Sequence, residues 1–195
     1  MRVLLVAPPG AGKGTQAEKL ADHYGVAHLS SGELLRQEVK AGTEIGNTAF
    51  KYLQRGDLVP DELIFEMLAE RVIRASRDGG YVLDGFPRNL RQAETAYHTT
   101  KHVEGIELEA VVHLNVTPEE LRRRLLTRAE REGRIDDSEA VVTHRFEVYV
   151  VETEPLLAFY RDRGLVLEIN GEQDEQQVFS DIVRSFERHR VAHRQ

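Results

Sequence analysis

The feature that most constrains this chain is a short apolar run that passes through a glycine-rich turn into an amphipathic helix. Residues 2–7 are almost entirely apolar, which is typical of a strand buried on both faces. Residues 8–12 predict a turn, and residues 13–24 predict a helix that ends at Gly25. Such a turn points backbone N–H groups at one spot, where the helix N-terminus adds partial positive charge. The segment therefore predicts a binding site for phosphate.

Two side chains in this segment suit a nucleotide phosphate. Lys13 supplies a mobile positive charge for the outer phosphates, and Thr15 offers a hydroxyl to a magnesium ion. The strict phosphate-loop pattern is not met, because Ala7 stands at its first position and Gly14 at its last. The alternative interpretation is a tight strand-to-helix turn with a surface lysine. The order of strand, loop and helix favours the phosphate site.

The rest of the chain alternates short apolar runs with longer amphipathic stretches. Further strands are predicted at residues 27–29, 81–83, 110–116 and 165–169. Helices are predicted at residues 31–41, 44–54, 61–76, 88–101, 118–129, 138–163 (bent near Pro155) and 172–189. Ser31 and Thr117 are the predicted N-caps of two of them, the second with a capping box to Glu120. The alternation predicts an α/β fold, a parallel sheet with helices on both faces.

The charge balance excludes several classes of partner. The chain of 195 residues has a formal net charge of −7, which argues against nucleic acid and membrane surfaces. An anionic ligand must therefore bind at a local cationic cluster. Of the 26 basic residues, 21 are Arg and five are Lys. Six of these arginines fall close together: Arg122, Arg123, Arg124, Arg128, Arg131 and Arg134.

The residue content also limits the chemistry. The sequence contains no cysteine, which excludes a Cys nucleophile, a disulfide scaffold and a zinc site built on thiolates. No apolar run approaches the roughly 18 residues that a membrane span needs. The first residues show no cleavable signal pattern. We expect a cytoplasmic protein.

Further segments form a series with the phosphate loop along nearly the whole chain. The series comprises residues 9–16 (PGAGKGTQ), 30–36 (SSGELLR), 56–61 (GDLVPD), 84–88 (DGFPR) and 133–137 (GRIDD), followed by Arg145. In this order they resemble the phosphate loop, the AMP-site segments and the lid of the adenylate kinase family. The chain departs from the family at Ala7 (usually Gly), Glu33 (usually Asp) and Thr127 (commonly Lys). None of these changes removes a charge that the chemistry needs.

The resemblance implies a fold and a reaction. The fold is a three-layer sandwich of the P-loop NTPase type with a central five-stranded parallel sheet. A single nucleotide kinase domain would span residues 1–195, with an AMP-binding helical insert at about 30–60 and a lid at about 128–138. The reaction is MgATP + AMP ⇌ MgADP + ADP, which maintains adenine nucleotide balance. The brief lid resembles the short-lid form, which carries no zinc.

The resemblance also assigns roles to individual residues. The phosphates of ATP would be held by Gly10, Ala11, Gly12, Lys13, Gly14 and Thr15, with Arg124 along its adenine and Arg128 at its phosphates. AMP would be bound by Ser31, Arg36, Leu58, Val59, Gly85, Arg88, Gln92, Arg134 and Arg145. The catalytic set would be Lys13, Arg88, Arg128, Arg134 and Arg145. Asp84 and Thr15 would contact Mg²⁺ through water. Asp136 and Asp137 would latch the closed lid, or form a plain surface pair.

Two alternatives to an adenylate kinase stay open. The first is a UMP/CMP-type kinase, whose members usually carry Ala where Ser31 stands. Ser31 and Gln92 favour adenine, because a Gln amide both donates to and accepts from its edge. The second is a nucleotide-dependent switch or a non-catalytic binding module; a GTPase would need an Asn-Lys-x-Asp motif, which is absent. We expect ATP, AMP and ADP as partners and a monomeric enzyme.

Overall fold

A parallel sheet forms the centre of the fold. The structure is a computed structural model that describes residues 1–101, 105–132 and 139–192. Its elements, in chain order, are β1 (Arg2–Val6), α1 (Lys13–Tyr24), β2 (Ala27–Ser30), α2 (Ser31–Ala41), α3 (Glu44–Arg55), α4 (Asp61–Arg77), β3 (Tyr81–Asp84), α5 (Leu90–Thr100), β4 (Ala110–Asn115), α6 (Pro118–Glu132), α7 (Glu139–Val148), a π turn (Tyr149–Thr153), α8 (Glu154–Arg161), β5 (Val166–Asn170) and α9 (Glu175–Ala192).

The sheet has the strand order β2-β3-β1-β4-β5, and every pairing is parallel. Leu5 of β1 lies opposite Asp84 of β3, and Val6 lies opposite His113 of β4. Parallel strands need long crossover connections, and here helices supply them. The predicted five-stranded parallel α/β fold is confirmed.

Alternate residues of each strand face two separate cores. Leu4 and Val6 point to a core formed with α2, α3, α4, α5 and α8, whereas Val3 and Leu5 point to a core formed with α1, α6 and α9. All four side chains are buried, which explains why β1 has apolar residues at successive positions. Helices therefore cover both faces, as the sequence predicts.

Two helix starts differ from the predictions at their caps. The N-cap of α2 is Ser30 rather than Ser31, and its Oγ accepts a hydrogen bond from the Glu33 N–H at 3.4 Å. The predicted capping box at Thr117 is wrong, because the Thr117 N–H donates to Glu172 at 2.6 Å. Glu120 instead accepts hydrogen bonds from neighbouring arginines. A carboxylate distant in sequence has replaced the local one.

The later helices also differ from the predicted boundaries. The helix predicted at residues 138–163 is interrupted by the π turn directly before Pro155, where the Glu154 N–H donates to the Tyr149 carbonyl, five residues back. Proline has no N–H and crowds the preceding turn, so a break in the α-helical pattern falls there. The last helix starts three residues later than predicted. Asp174 Oδ1 accepts hydrogen bonds from the N–H groups of Gln176 and Gln177 and so caps it.

Candidate active site

A polar cavity of about 660 Å³ lies at the carboxyl ends of β1 and β3. In open parallel sheets this edge is where ligands bind. Most of the predicted site residues line it: Gly10, Gly12, Lys13, Gly14, Thr15, Arg36, Leu58, Asp84, Gly85, Arg88, Arg124 and Arg145. Ala11, Ser31, Val59 and Gln92 are absent from this lining. The cavity therefore brings segments from across the chain to one place.

One wall of the cavity is the phosphate loop, residues 7–15. Lys13 Nζ donates to the carbonyls of Ala7 at 2.7 Å and Pro8 at 3.1 Å, so the ammonium group folds back over its own loop. Among the described residues, α1 has no side-chain cap at Gly12 and no acidic residue in its first turn. The N–H groups of the first turn and the partial positive charge of this helix end suit an anion.

The phosphate loop packs directly against α6. A Cβ at Gly10 would lie 2.8 Å from Cγ of Leu125 and 3.2 Å from the Leu121 carbonyl oxygen. Gly10 also has a φ of +85°, a conformation that other L residues rarely adopt. Both facts require glycine at this position.

Asp84 fits the predicted magnesium contact. It ends β3 with 9% of its surface exposed, and its Oδ2 accepts a hydrogen bond from Ser30 Oγ at 3.4 Å. Its Oδ1 is buried and has no hydrogen-bond partner within the described residues. A Cβ at Gly14 would lie 4.0 Å from Oδ2, so the carboxylate faces the phosphate loop. A buried carboxylate oxygen without a partner is a suitable acceptor for a water on Mg²⁺.

Another part of the cavity lining is the arginine pair, Arg36 and Arg88. A Cβ at Gly32 would lie 3.4 Å from Nη1 of Arg36 and 3.6 Å from Nη2 of Arg88, so both guanidinium groups meet above the first turn of α2. Arg88 Nε donates to the Gly85 carbonyl at 2.7 Å. Two planar cations in this arrangement can hold one phosphate from two sides.

Gly85 packs against both Ser31 and the guanidinium group of Arg88. Ser31 Oγ donates to the Gly85 carbonyl at 2.6 Å, which leaves its side chain 1% exposed. A Cβ at Gly85 would lie 2.6 Å from Ser31 Oγ and 3.0 Å from Arg88 Nη2. The arginine can approach the backbone this closely because residue 85 has no side chain.

Gln92 is buried and bonded at both ends of its amide. Its Nε2 donates to Asp61 at 2.6 Å, and its Oε1 accepts from the Arg88 N–H at 2.7 Å. The side chain is 2% exposed. In this arrangement Gln92 fixes the Arg88 loop, and its predicted role as a reader of adenine stays a prediction.

Of the remaining predicted arginines, Arg124 comes from α6 and Arg145 from α7. Arg124 Nε donates to Glu120 at 2.7 Å, and the hydrogen bonds from Arg123 and Arg124 lower the pKa of Glu120 to about 2. Arg145 lies against the end of α3, because a Cβ at Gly56 would lie 2.9 Å from its Cγ. The side chain of Arg128 and all of Arg134, Asp136 and Asp137 lie outside the described residues.

Comparison with known proteins identifies the family. The family model described as adenylate kinase matches residues 5–165. The adenylate kinase of Leptospira biflexa is 41% identical over 184 residues, covering 94% of this chain and 98% of its own. Those of Thermobifida fusca and Micrococcus luteus are 46% and 45% identical and cover 88% and 87% of this chain and 90% and 82% of their own.

The chain belongs to the adenylate kinase family. It is therefore a phosphotransferase of the nucleoside monophosphate kinase type. Within the described residues of this adenylate kinase family member, no helix is both long and apolar enough to cross a membrane.

Among the cavity residues that the sequence did not indicate, two are notable for their hydroxyl groups. Tyr149 and Thr153, the first and last residues of the π turn, both line the cavity. Thr153 Oγ1 donates to the Arg88 carbonyl at 2.6 Å. Tyr149 stands four residues after Arg145, on the same face of a helix, and that spacing is the only signal the sequence offered.

Proposed function

We propose that this enzyme reversibly transfers a phosphoryl group from MgATP to AMP and that the phosphate loop and the arginine pair hold the two nucleotides. The observation that carries the proposal is their common cavity: Lys13 lines one part of it, and Arg36 and Arg88 line another. A kinase for a nucleoside monophosphate needs two such phosphate sites within reach of each other.

The attacking group is a phosphate oxygen of AMP, which is already ionised at neutral pH. No strong general base is therefore needed, and catalysis consists of positioning and charge neutralisation. Lys13 and the backbone of Gly10, Ala11, Gly12 and Gly14 bind the phosphates of ATP. Arg36, Arg88 and Arg145 orient the AMP phosphate. Arg145 also surrounds the transferred group, together with Arg128 and Arg134.

Asp84 and the Thr15 hydroxyl would hold Mg²⁺, chiefly through water. The partnerless Oδ1 of Asp84 supports this assignment. When bound, the ion neutralises phosphate charge and orients the outer phosphates of ATP. The chain itself would supply a fixed carboxylate beside the phosphate loop, as an acceptor for water bound to the ion.

The bases are read away from the phosphates. Arg124 stacks along the adenine of ATP, which its place in the cavity wall supports. The adenine of AMP is read by Gln92, by the Ser31 segment and by backbone groups of Leu58 and Val59. For Gln92 to reach a base, its amide must give up the hydrogen bond to Asp61 or to the Arg88 N–H.

Two segments close over the substrates within a single domain of residues 1–195. They are the helical insert at about 30–60 and the lid at about 128–138, which carries Arg134 with its Asp136–Asp137 pair. Closure excludes water and so prevents ATP hydrolysis. Lid closure in adenylate kinases is a well-known example of this kind of step. The enzyme acts as a monomer in the cytoplasm.

A coupled assay for ADP tests the proposal, with MgATP and AMP, CMP, UMP or GMP in turn. Of the four monophosphates, we expect only AMP to give fast ADP formation. The reaction should also run in reverse, forming ATP and AMP from ADP, and should be lost without Mg²⁺. Transfer to CMP or UMP would assign the chain to the pyrimidine branch instead. In the same panel, Gln92→Ala should raise the KM for AMP, and unchanged discrimination between AMP and CMP would remove Gln92 as a base reader.

A further inference from the structure

The π turn (Tyr149–Thr153) connects two parts of the molecule through its first and last residues. Both residues are polar and nearly buried, with 9% of Tyr149 and 7% of Thr153 exposed, and both line the cavity. Insertions of this kind in helices are rare and are frequent at functional sites. The hydroxyl groups of Tyr149 and Thr153 contact different elements of the fold.

Tyr149 is held by the sheet. Its hydroxyl lies 3.2 Å from Nε2 of His113 on β4, and Nδ1 of His113 lies 2.7 Å from Glu168 on β5. A carboxylate accepts but does not donate, so Nδ1 carries the proton towards Glu168, and Nε2 is left to make the contact with the tyrosine hydroxyl.

Glu168 is itself fixed at the end of this chain of contacts. Its other partners are Asn115, which donates at 2.9 Å, and Arg161, whose Nη2 donates at 2.7 Å. Burial raises the pKa of Glu168, but the hydrogen bonds from Arg161, Asn115 and His113 outweigh it and lower the pKa overall. The carboxylate therefore stays ionised as an anchor for His113.

Thr153 holds the loop that carries the arginine pair. Its Oγ1 donates to the carbonyl of Arg88 at 2.6 Å, while the backbone N–H of Arg88 donates to Oε1 of Gln92 at 2.7 Å. The backbone of Arg88 is thus fixed on both sides by buried side chains. Arg145 stands four residues before Tyr149, so the same helical segment also aims this second arginine at the cavity.

We propose that Glu168, His113, Tyr149 and Thr153 are positioning residues that hold the π turn against the sheet and thereby aim Arg88 and Arg145 at the AMP phosphate. None of the four needs to touch the nucleotide. The inference rests on the proposed function, because it matters only if these arginines bind AMP. It implies that loss of one hydroxyl weakens the AMP side of the site and leaves the ATP side unchanged.

Two hydroxyl deletions test this, Tyr149→Phe and Thr153→Val, which keep the shape of the side chains. Steady-state kinetics should show a rise of about five- to twentyfold in the KM for AMP, since one hydrogen bond and a small displacement of an arginine are lost. The KM for ATP should stay within about twofold, an effect too small to reflect a lost hydrogen bond. Thr153→Ser keeps the hydroxyl and should restore AMP binding.

Tyr24→Phe is the matched control. The Tyr24 hydroxyl donates to Glu187 at 2.9 Å, between α1 and α9, away from the cavity lining. It should alter neither KM. Equal changes in both KM values, or lowered thermal stability with unchanged kinetics, would mean that the turn is only structural and would overturn the inference.

The outcome also separates this inference from the proposed function. If the unchanged enzyme makes no ADP from AMP, the proposed function fails, and the inference fails with it. If the enzyme is active but Thr153→Val and Thr153→Ser behave alike, only the inference fails. The Thr153 pair decides the question even if Tyr149→Phe does not fold.

Discussion

The phosphate loop and the arginine pair bind the same kind of group but are built in opposite ways. The loop is formed by one stretch of backbone, residues 7–15. Within that stretch, the Lys13 ammonium donates to the carbonyls of Ala7 and Pro8. The arginine pair joins α2 to the segment after β3, and it depends on side chains from α5 and the π turn. One site is local in the sequence, and the other is assembled from distant elements.

This difference determines how each site responds to change. In the phosphate loop, the reacting charge and the backbone that places it are neighbours, so damage is confined to a few residues. At the arginine pair, buried hydrogen bonds link several elements, and removing one partner leaves another without a bond. Substitutions in the phosphate loop and at the arginine pair should therefore have separate effects.

Lys13→Ala should have the largest effect. It removes the one mobile charge of the phosphate loop, so turnover should fall by at least about 10²–10³-fold, the cost of losing one positioned charge-stabilising group. The fold should persist, because the ammonium group donates to carbonyls of its own loop, those of Ala7 and Pro8. Turnover near that of the unchanged enzyme would contradict the assignment of the phosphate loop. Lys19→Ala, which breaks an ion pair with Glu175, is the control.

Arg88→Lys should have the next largest effect, and on the other substrate. A lysine keeps the charge but carries all its donors on one nitrogen, so it cannot reproduce a planar guanidinium that donates to the Gly85 carbonyl through Nε and presents its other nitrogens to a phosphate. We expect kcat/KM for AMP to fall about 10²-fold, as for a small misplacement of a reacting group, with the KM for ATP nearly unchanged. An equal loss for both nucleotides would place Arg88 between the sites rather than on the AMP side. The exposed Arg74, changed to lysine, is the control.

A pair of glycine substitutions compares backbone strain with packing inside the phosphate loop. Gly10→Ala and Gly12→Ala both place a side chain at positive φ, which costs roughly 1–2 kcal/mol. Only Gly10→Ala also meets Leu125, at 2.8 Å, and overpacking costs roughly a further 1–3 kcal/mol. Chemical denaturation should therefore rank Gly10→Ala as the less stable variant. The reverse order would show that α6 shifts at little cost to make room for a side chain at residue 10.

The local design of the phosphate loop explains what the sequence could predict. The strand, the turn and the helix are each determined by residues within a few positions, and all three are confirmed. The parallel sheet followed from the alternation of strands and helices. Both inferences use periodicity and turn chemistry, which are properties of short windows.

The parts that the sequence could not predict involve partners far apart in the chain. Thr117 takes Glu172 instead of Glu120, and His113 takes Glu168; both pairs are 55 positions apart. Nothing within a short window indicates such a partner. The same limit applies to Gln92, whose amide suits an adenine edge by its chemistry but donates to Asp61, which is 31 positions away.

The smallest expected effect concerns the seam between the end of α3 and α7. His144 Nε2 lies 2.8 Å from Asp57, which also accepts from Arg55 Nε at 2.8 Å. The hydrogen bond between them raises the pKa of His144 and lowers that of Asp57. Both side chains are substantially exposed, so salt should weaken the pair.

The sign of the pH effect follows from these directions. Because the pKa of His144 is higher in the folded protein, its contribution is complete below about pH 6.5, its ordinary pKa, and is lost as the pH rises through the raised value. At acid pH the contribution of Asp57 is lost as the carboxylate protonates. The melting temperature of the unchanged enzyme should therefore exceed that of His144→Gln in mildly acidic buffer, and the gap should close in alkaline buffer. His98→Gln, at an exposed position, is the control. A gap that is constant with pH would mean that the contact acts as a neutral hydrogen bond, and that the seam, unlike the phosphate sites, does not depend on charge.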